Sequence, residues 1–201
     1  MICPEYRPLW EGVEAADSLV LNPHKWLGTG FDLSAYFVHD PEHLVRVMST
    51  DPSYLRTAQD GRVRNLRDWG IPLGRRFRAL KLWFLIREYG VAGLQERIRR
   101  DMDNAQWLAA QVGAEPGWEL LAPVQLQTVC LRHVPPALAG DEEALADHNR
   151  AVAERINLGG RAYLTSAELK GRQIVRVSIG AQATERADVA ALWDDLRAAA
   201  T

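Results

Sequence analysis

The residues best placed to do chemistry are Asn22-Pro23-His24-Lys25-Trp26. Leu19-Val20-Leu21 is a short apolar run that reads as a buried strand, and Asn22-Pro23 ends it because proline cannot continue a ladder. A lysine directly after such a break sits at a sheet edge. Partial desolvation there favours the neutral form of an amine, which is a nucleophile toward a carbonyl. His24 is placed to stack or hydrogen-bond beside it, and Asn22 to donate to a phosphate. Twenty-one arginines stand against three lysines, Lys25, Lys81 and Lys170, so a merely solvated charge at position 25 could have been arginine. The same His-Lys-Trp on a turn also fits an ordinary surface feature, and without structural context the motif leaves both readings open.

The elements that must hold Lys25 are two strands and the turn between them. The second strand is expected over Leu33 to His39, bounded by Asp32 and Asp40-Pro41, and Leu27-Gly28-Thr29-Gly30-Phe31 is the glycine-containing turn. Thr50 to Trp69 has turn signals at Asp51-Pro52-Ser53-Tyr54 and Gln59-Asp60-Gly61 with few apolar residues, and reads as a long irregular loop of the kind that forms lids. Ile71-Pro72-Leu73-Gly74 is expected to open an apolar helix closed by Gly90, with Phe77, Leu80 and Phe84 facing the core. A second helix spans about Val91 to Val112, with Leu94, Ile98, Met102 and Leu108 on one stripe and Arg97, Arg99 and Arg100 opposite. Beyond Pro116-Gly117, strands are expected at Trp118 to Ala122, Thr128 to Arg132, Ala162 to Ser166 and Ile174 to Ile179. Helices are expected from an Asp141 N-cap to Asn157, and from a Thr184 cap to near Ala199. This alternation predicts a small α/β domain of mixed topology over 115–201, with 1–114 as a separate larger segment.

Composition narrows the function classes. The chain has 201 residues, 47% hydrophobic and 25% charged, with a formal net charge of -2. No basic excess points to nucleic acid, and no run approaches the roughly 20 apolar residues of a membrane span. Cys3 and Cys130 lack metal-ligand or disulfide-framework spacing and read as reduced, packed thiols. His39, His43, His133 and His148 are isolated from one another in sequence, and no metal site is expected. The N-terminus has no basic region followed by an apolar run, so a cytoplasmic address is the default expectation.

The stretch from Ala16 through Leu27, followed by Phe31-Asp32-Leu33-Ser34-Ala35, resembles the pyridoxal-phosphate site of the group II amino-acid decarboxylases, most of all the aromatic-L-amino-acid branch. Ile2-Cys3-Pro4-Glu5-Tyr6-Arg7, Asp51-Pro52-Ser53-Tyr54-Leu55 and Trp69-Gly70-Ile71-Pro72-Leu73-Gly74-Arg75-Arg76-Phe77-Arg78 match further segments of that family, so the resemblance covers essentially the whole chain. It implies the fold-type I pyridoxal-phosphate-dependent transferase-like α/β fold, here as a truncated large domain (1–114, with the catalytic loop and connecting helices) and a small C-terminal α/β domain (115–201). The family's full chain is much longer. The aspartate facing the pyridine nitrogen and the histidine stacked on the cofactor ring are expected upstream of Met1, which makes this sequence the family's C-terminal part.

By the same resemblance, Lys25 would form the Schiff base with pyridoxal 5'-phosphate, with His24 and Asn22 at the phosphate end. Tyr54 would be the tyrosine of the mobile catalytic loop, which returns a proton to the substrate α-carbon after carbon dioxide leaves. Relatives that make aldehydes often have phenylalanine there, so Tyr54 favours decarboxylation to an amine. In the family that loop reaches into the partner's active site, which implies a homodimer. Gly74 corresponds to a pocket position that leaves room for an indole, and Trp26 leans toward the aromatic branch. The function implied is decarboxylation of aromatic L-amino acids, the isolated chain being inactive. The alternatives are a non-catalytic remnant or interaction module, and a glutamate- or cysteine-sulfinate-type decarboxylase. Arg67 either supports the catalytic loop or is a solvated arginine. The Arg75-Arg76-Phe77-Arg78 cluster is expected to pair with acidic neighbours.

Overall fold

A computed structural model describes residues 2–50, 53–55, 58–60 and 62–201. Asp51 and Pro52 of the Asp51–Leu55 motif, and Gly61 of the second loop turn, lie outside the described residues. The chain divides into two compact units, Met1–Leu94 and Gln95–Thr201. This division falls twenty residues before the one expected at 114/115, because the second half of the long connecting helix contributes to the core of the second unit.

In the first unit, β1 (Ser18–Leu21) pairs antiparallel with β2 (Ala35–Val38), Ser18 opposite Val38 and Leu21 opposite Ala35. Next comes α1 (Pro41–Met48), which the sequence reading missed. There Asp40-Pro41 ends the strand and also starts a helix: the Asp40 carboxylate accepts the His43 amide at 2.9 Å, and proline occupies the first helical turn. Short 3-10 turns at Ser53–Leu55 and Leu66–Trp69 lie within the expected irregular loop. Helix α2 (Ala79–Ala114) begins at Ala79, so Ile71–Gly74 lies before the helix and does not open it. It is broken at Gly90, whose φ of 64° and ψ of 175° separate two helical segments where a stop was expected. Phe77, Leu80 and Phe84 are 74%, 38% and 58% exposed, so this stripe is not core; Leu85 is the buried neighbour.

The second unit holds a four-stranded sheet of β3 (Trp118–Leu120), β4 (Thr128–His133), β5 (Thr165–Leu169) and β6 (Arg172–Ser178) in the order β3-β4-β6-β5. Every pairing is antiparallel, which corrects the mixed topology expected from the alternating texture. Helices α3 (Glu142–Gly159) and α4 (Arg186–Ala199) complete the unit. Leu108 and Val112 of α2, Val129 and Leu131 of β4, Val152 of α3, Val175 and Val177 of β6 and Leu196 of α4 form one buried cluster. On α2, Leu94, Ile98, Met102 and Leu108 are buried as the helical spacing requires; Arg97, expected on the outer face, is buried as well.

Two local shifts have clear causes. Strand β5 starts at Thr165, three residues after the expected Ala162, because both backbone groups of Leu164 are taken by the Asn157 side chain and are withdrawn from the ladder. Lys170 and Gly171, at φ 53° and 75°, then form the two-residue turn that joins β5 to β6. Helix α4 is capped by Glu185 and not by Thr184, through a reciprocal box in which the Asp188 carboxylate accepts the Glu185 amide at 2.8 Å. Asp141 caps α3 as expected, accepting the Ala144 amide at 3.0 Å.

Candidate active site

The Lys25 turn is built from the strand ends inward. Proline at 23 removes a ladder donor, and Pro23 and Thr29 are buried together beneath the turn, where the Thr29 amide donates to the Pro23 carbonyl at 3.0 Å. The Lys25 amide donates to Asn22 and the Gly28 amide to Lys25, so the segment coils back on itself. His24 pins the far side: its amide donates to the Leu33 carbonyl, while Nδ1 lies 2.6 Å from that same oxygen and 3.1 Å from the Leu33 amide nitrogen. The imidazole also meets Phe31 edge-on at 5.1 Å. The Ser34 hydroxyl donates to Asn22 Oδ1 at 2.6 Å, tying the end of β1 to the start of β2.

Asn22, His24 and Lys25 are thus brought together on one short turn. The Lys25 side chain is exposed, so the partial burial expected at the sheet edge is not provided by these residues. The turn is also held from a distance. Lys81, in the first turn of α2, donates its ammonium to the Gly30 carbonyl at 2.9 Å and the Asp32 carbonyl at 2.8 Å. Arg78 pairs with the Asp32 carboxylate at 3.0 Å. Its hydrogen bond holds the Asp32 carboxyl below the ordinary aspartate range, and Lys81 adds a smaller attraction. Of the Arg75–Arg78 cluster, Arg78 thus has the expected acidic partner in Asp32. Sequence reasoning gave Lys81 no role, naming it only as one of three lysines; that scarcity was the available signal.

Tyr54 and Gly74 lie on other segments of the first unit. Tyr54 is 75% exposed on the 3-10 turn Ser53–Leu55. Gly74 is exposed, and a Cβ built there meets nothing within 4 Å, so no pocket wall is formed around it by the described residues. Asp60 takes Arg67 at 3.3 Å and Asn65 at 2.9 Å, while the Ser49 hydroxyl donates to Asp68 at 3.0 Å. Arg67 is largely buried and ion-paired, not solvated. These groups border a cavity of about 540 Å³ lined in part by Val45, Arg46 and Trp69. Among the described residues no group of three or more His, Cys, Asp or Glu could hold a metal ion, and no helix is long and apolar enough to cross a membrane. Neither Cys3, which is buried, nor Cys130 is in a disulfide.

Residues 1–134 match the pyridoxal-dependent decarboxylase conserved domain. Tryptophan decarboxylase TDC1 of Camptotheca acuminata is 39% identical over 96% of this chain and 38% of its own length. The aromatic-L-amino-acid decarboxylase of Drosophila melanogaster is 41% identical over 99% of this chain and 37% of its own. A crystal structure of the Oryza sativa TDC with PLP and tryptamine superposes with a TM-score of 0.90 at 36% identity, covering 98% of this chain and 41% of that one. The chain therefore spans about two fifths of the length of these relatives, in the α/β fold of that group. A turn carrying an exposed lysine beside asparagine and histidine, set in that fold and matched along almost the entire sequence, places the chain in the pyridoxal-dependent decarboxylase family.

Proposed function

We propose that this chain is the C-terminal part of a carboxy-lyase that converts aromatic L-amino acids to amines with pyridoxal 5'-phosphate. The observation that carries the reading is Lys25, exposed on a hydrogen-bonded turn in a chain similar throughout to decarboxylases of aromatic amino acids. The residues present fit the cofactor at two of its ends. The Lys25 amine is open to an aldehyde. The Asn22 amide oxygen already accepts from Ser34, which leaves its NH₂ for a phosphate oxygen, and the His24 ring, fixed at Nδ1, turns its other edge away from Leu33. When bound, the cofactor supplies the electron sink, and the protein decides which bond to the α-carbon breaks.

In this reading Lys25 holds the aldehyde and Tyr54 holds the proton that replaces the departing carboxylate on the substrate α-carbon. Gly74 leaves space for a wide ring. Tyr54, exposed on the turn Ser53–Leu55, suits a loop that serves the neighbouring subunit of a homodimer and excludes water when it closes. Residues 1–114 belong to the cofactor-binding large domain and 115–201 to the small one, and two cysteines outside any disulfide agree with a cytoplasmic address. The 201-residue chain alone is inactive, since Lys25 and Gly74 are open to solvent here.

The test is co-expression of the chain with the upstream segment of a relative such as the Camptotheca tryptophan decarboxylase. Release of tryptamine or dopamine from tryptophan or DOPA by the pair, and by neither part alone, is the expected result. No amine from the assembled pair, with no cofactor retained on Lys25, would favour the non-catalytic reading.

A further inference from the structure

We propose that Lys81 is a positioning residue for Lys25, a cationic staple that fixes the turn from which the reactive amine projects. This inference rests on Lys25 being the lysine that takes the aldehyde. The turn between β1 and β2 has outward backbone carbonyls at Gly30 and Asp32, and both accept from the single Lys81 ammonium, at 2.9 and 2.8 Å, from about fifty residues away in sequence. Hydrogen bonds with an ionised donor are about twice as strong as neutral ones. Arg78, three residues earlier, adds its ion pair to the Asp32 carboxylate at 3.0 Å, so the start of α2 grips one residue of the turn by backbone and side chain together. His24, the neighbour of Lys25, is bonded to Leu33 next to that gripped residue. Any slack at Asp32 therefore passes through Leu33 and His24 to Lys25.

The three lysines then divide their roles. Lys25 is exposed and reacts; Lys81 is committed to two carbonyls; Lys170 is exposed on the β5–β6 turn in the other unit and serves as a reference. Methionine at 81 keeps the stem of the side chain and loses the charge. Arginine keeps a charge and at least two donors able to span both carbonyls.

The experiment labels the purified chain with pyridoxal phosphate under cyanoborohydride and quantifies each lysine by peptide mass spectrometry, with amide exchange of Gly28 and Thr29 followed in parallel. In the wild-type chain, label at Lys25 exceeds that at Lys170, and Lys81 takes at least about fivefold less than Lys170. In Lys81→Met the Lys25-to-Lys170 ratio falls by about threefold or more, since positioning is lost when a reacting group shifts by an ångström, and exchange at Gly28 and Thr29 accelerates. Lys81→Arg restores both. An unchanged ratio in Lys81→Met, or label on Lys81 equal to that on Lys170 in the wild type, overturns the staple. A wild-type ratio no greater than one strikes instead at Lys25 as the reacting lysine.

Discussion

At the scale of single residues, chemistry is separated from its support. Lys25 and Tyr54 are exposed, whereas the His24 ring bonds the Leu33 backbone and Asn22, Asp32 and Asp60 bond the side chains of Ser34, of Arg78, and of Arg67 and Asn65. A reactive side chain on a fixed backbone loses less entropy on meeting substrate than one on a loose loop, which is the physical reason for such an arrangement. Tyr54 can be tested apart from the fold, because its exposed ring supports little packing. In the chain assembled with the upstream segment of a relative, Tyr54→Phe should lower amine formation by roughly 10²-fold, the low end for a positioned proton donor, if the proposed role holds. Labelling of Lys25 should not change, and aldehyde should be assayed beside amine. Full amine output from the variant would remove Tyr54 from the reaction.

Between elements, the contact of α3 with β4 shows how polar groups specify packing. Asn149, fully buried on α3, accepts the His133 amide and donates to the His133 carbonyl, so a side chain from the helix continues the backbone pairing of the strand. Beside it His133 Nδ1 and His148 Nε2 lie 2.9 Å apart, His133 stacks at a tilt on Trp118, and Trp118 meets Trp193 edge-on. Arg132 is buried next to them and compensated by Glu142 and Glu119. Burial holds both histidines below the ordinary imidazole value; the like charge of His148 adds to this at His133, and that of Arg155 at His148. Because the folded values lie under the unfolded value of about 6.5, the pair contributes its stability above that pH and loses it as pH falls through the folded values. The melting midpoint of the second unit should therefore drop on acidification from pH 7.5 to 5. A hydrogen bond worth about 1 kcal/mol corresponds to roughly 3–6 °C for a unit of this size. His148→Gln should flatten that dependence, as followed by calorimetry or Trp fluorescence; an equally steep fall in the variant would place the acid sensitivity elsewhere.

The same elements show what sequence carries and what it does not. Helices with strong periods, such as α3 and the Leu94–Leu108 stripe, were legible because each side chain's fate follows from its own neighbours, whereas β1 was legible as a strand but its Val20 and Leu21 are exposed and not buried as its apolar run predicts. The site turn was legible as a motif, and its composition pointed to Lys25. The His133–His148 pair was not, since a strand and a helix fifteen residues apart must meet before the two rings do. Lys81 was hidden for the same reason, and α1 because Asp40-Pro41 signals an end and a beginning at once.

For the whole molecule, the two units differ sharply in how they bury apolar surface. Among the described residues, the exposed large hydrophobics all lie in the first unit except Leu120, Leu158 and Tyr163. Phe31, Ile71 and Phe77 are 87%, 88% and 74% exposed, and both strands of the β1–β2 ribbon carry exposed Val20, Leu21, Tyr36 and Phe37. An isolated two-stranded ribbon is marginal in water, and apolar patches of this extent mark surfaces meant to be covered. The second unit instead closes around one cluster in which Val112, Val129, Val152 and Val175 have no exposure. Stability must then be uneven, since local opening is cheapest where few apolar contacts are buried. Amide exchange should show the slowest sites on β4, β6 and α3, with β1 and β2 exchanging faster by a factor on the order of 10² or more, equivalent to about 3 kcal/mol of local stability. The dye ANS should bind the isolated chain, and joining the upstream segment of a relative should both suppress that binding and slow exchange in β1 and β2. Equal protection in the two units of the isolated chain would mean that the first unit is stable with its apolar face open to water, and the case for a covering segment would fall with it.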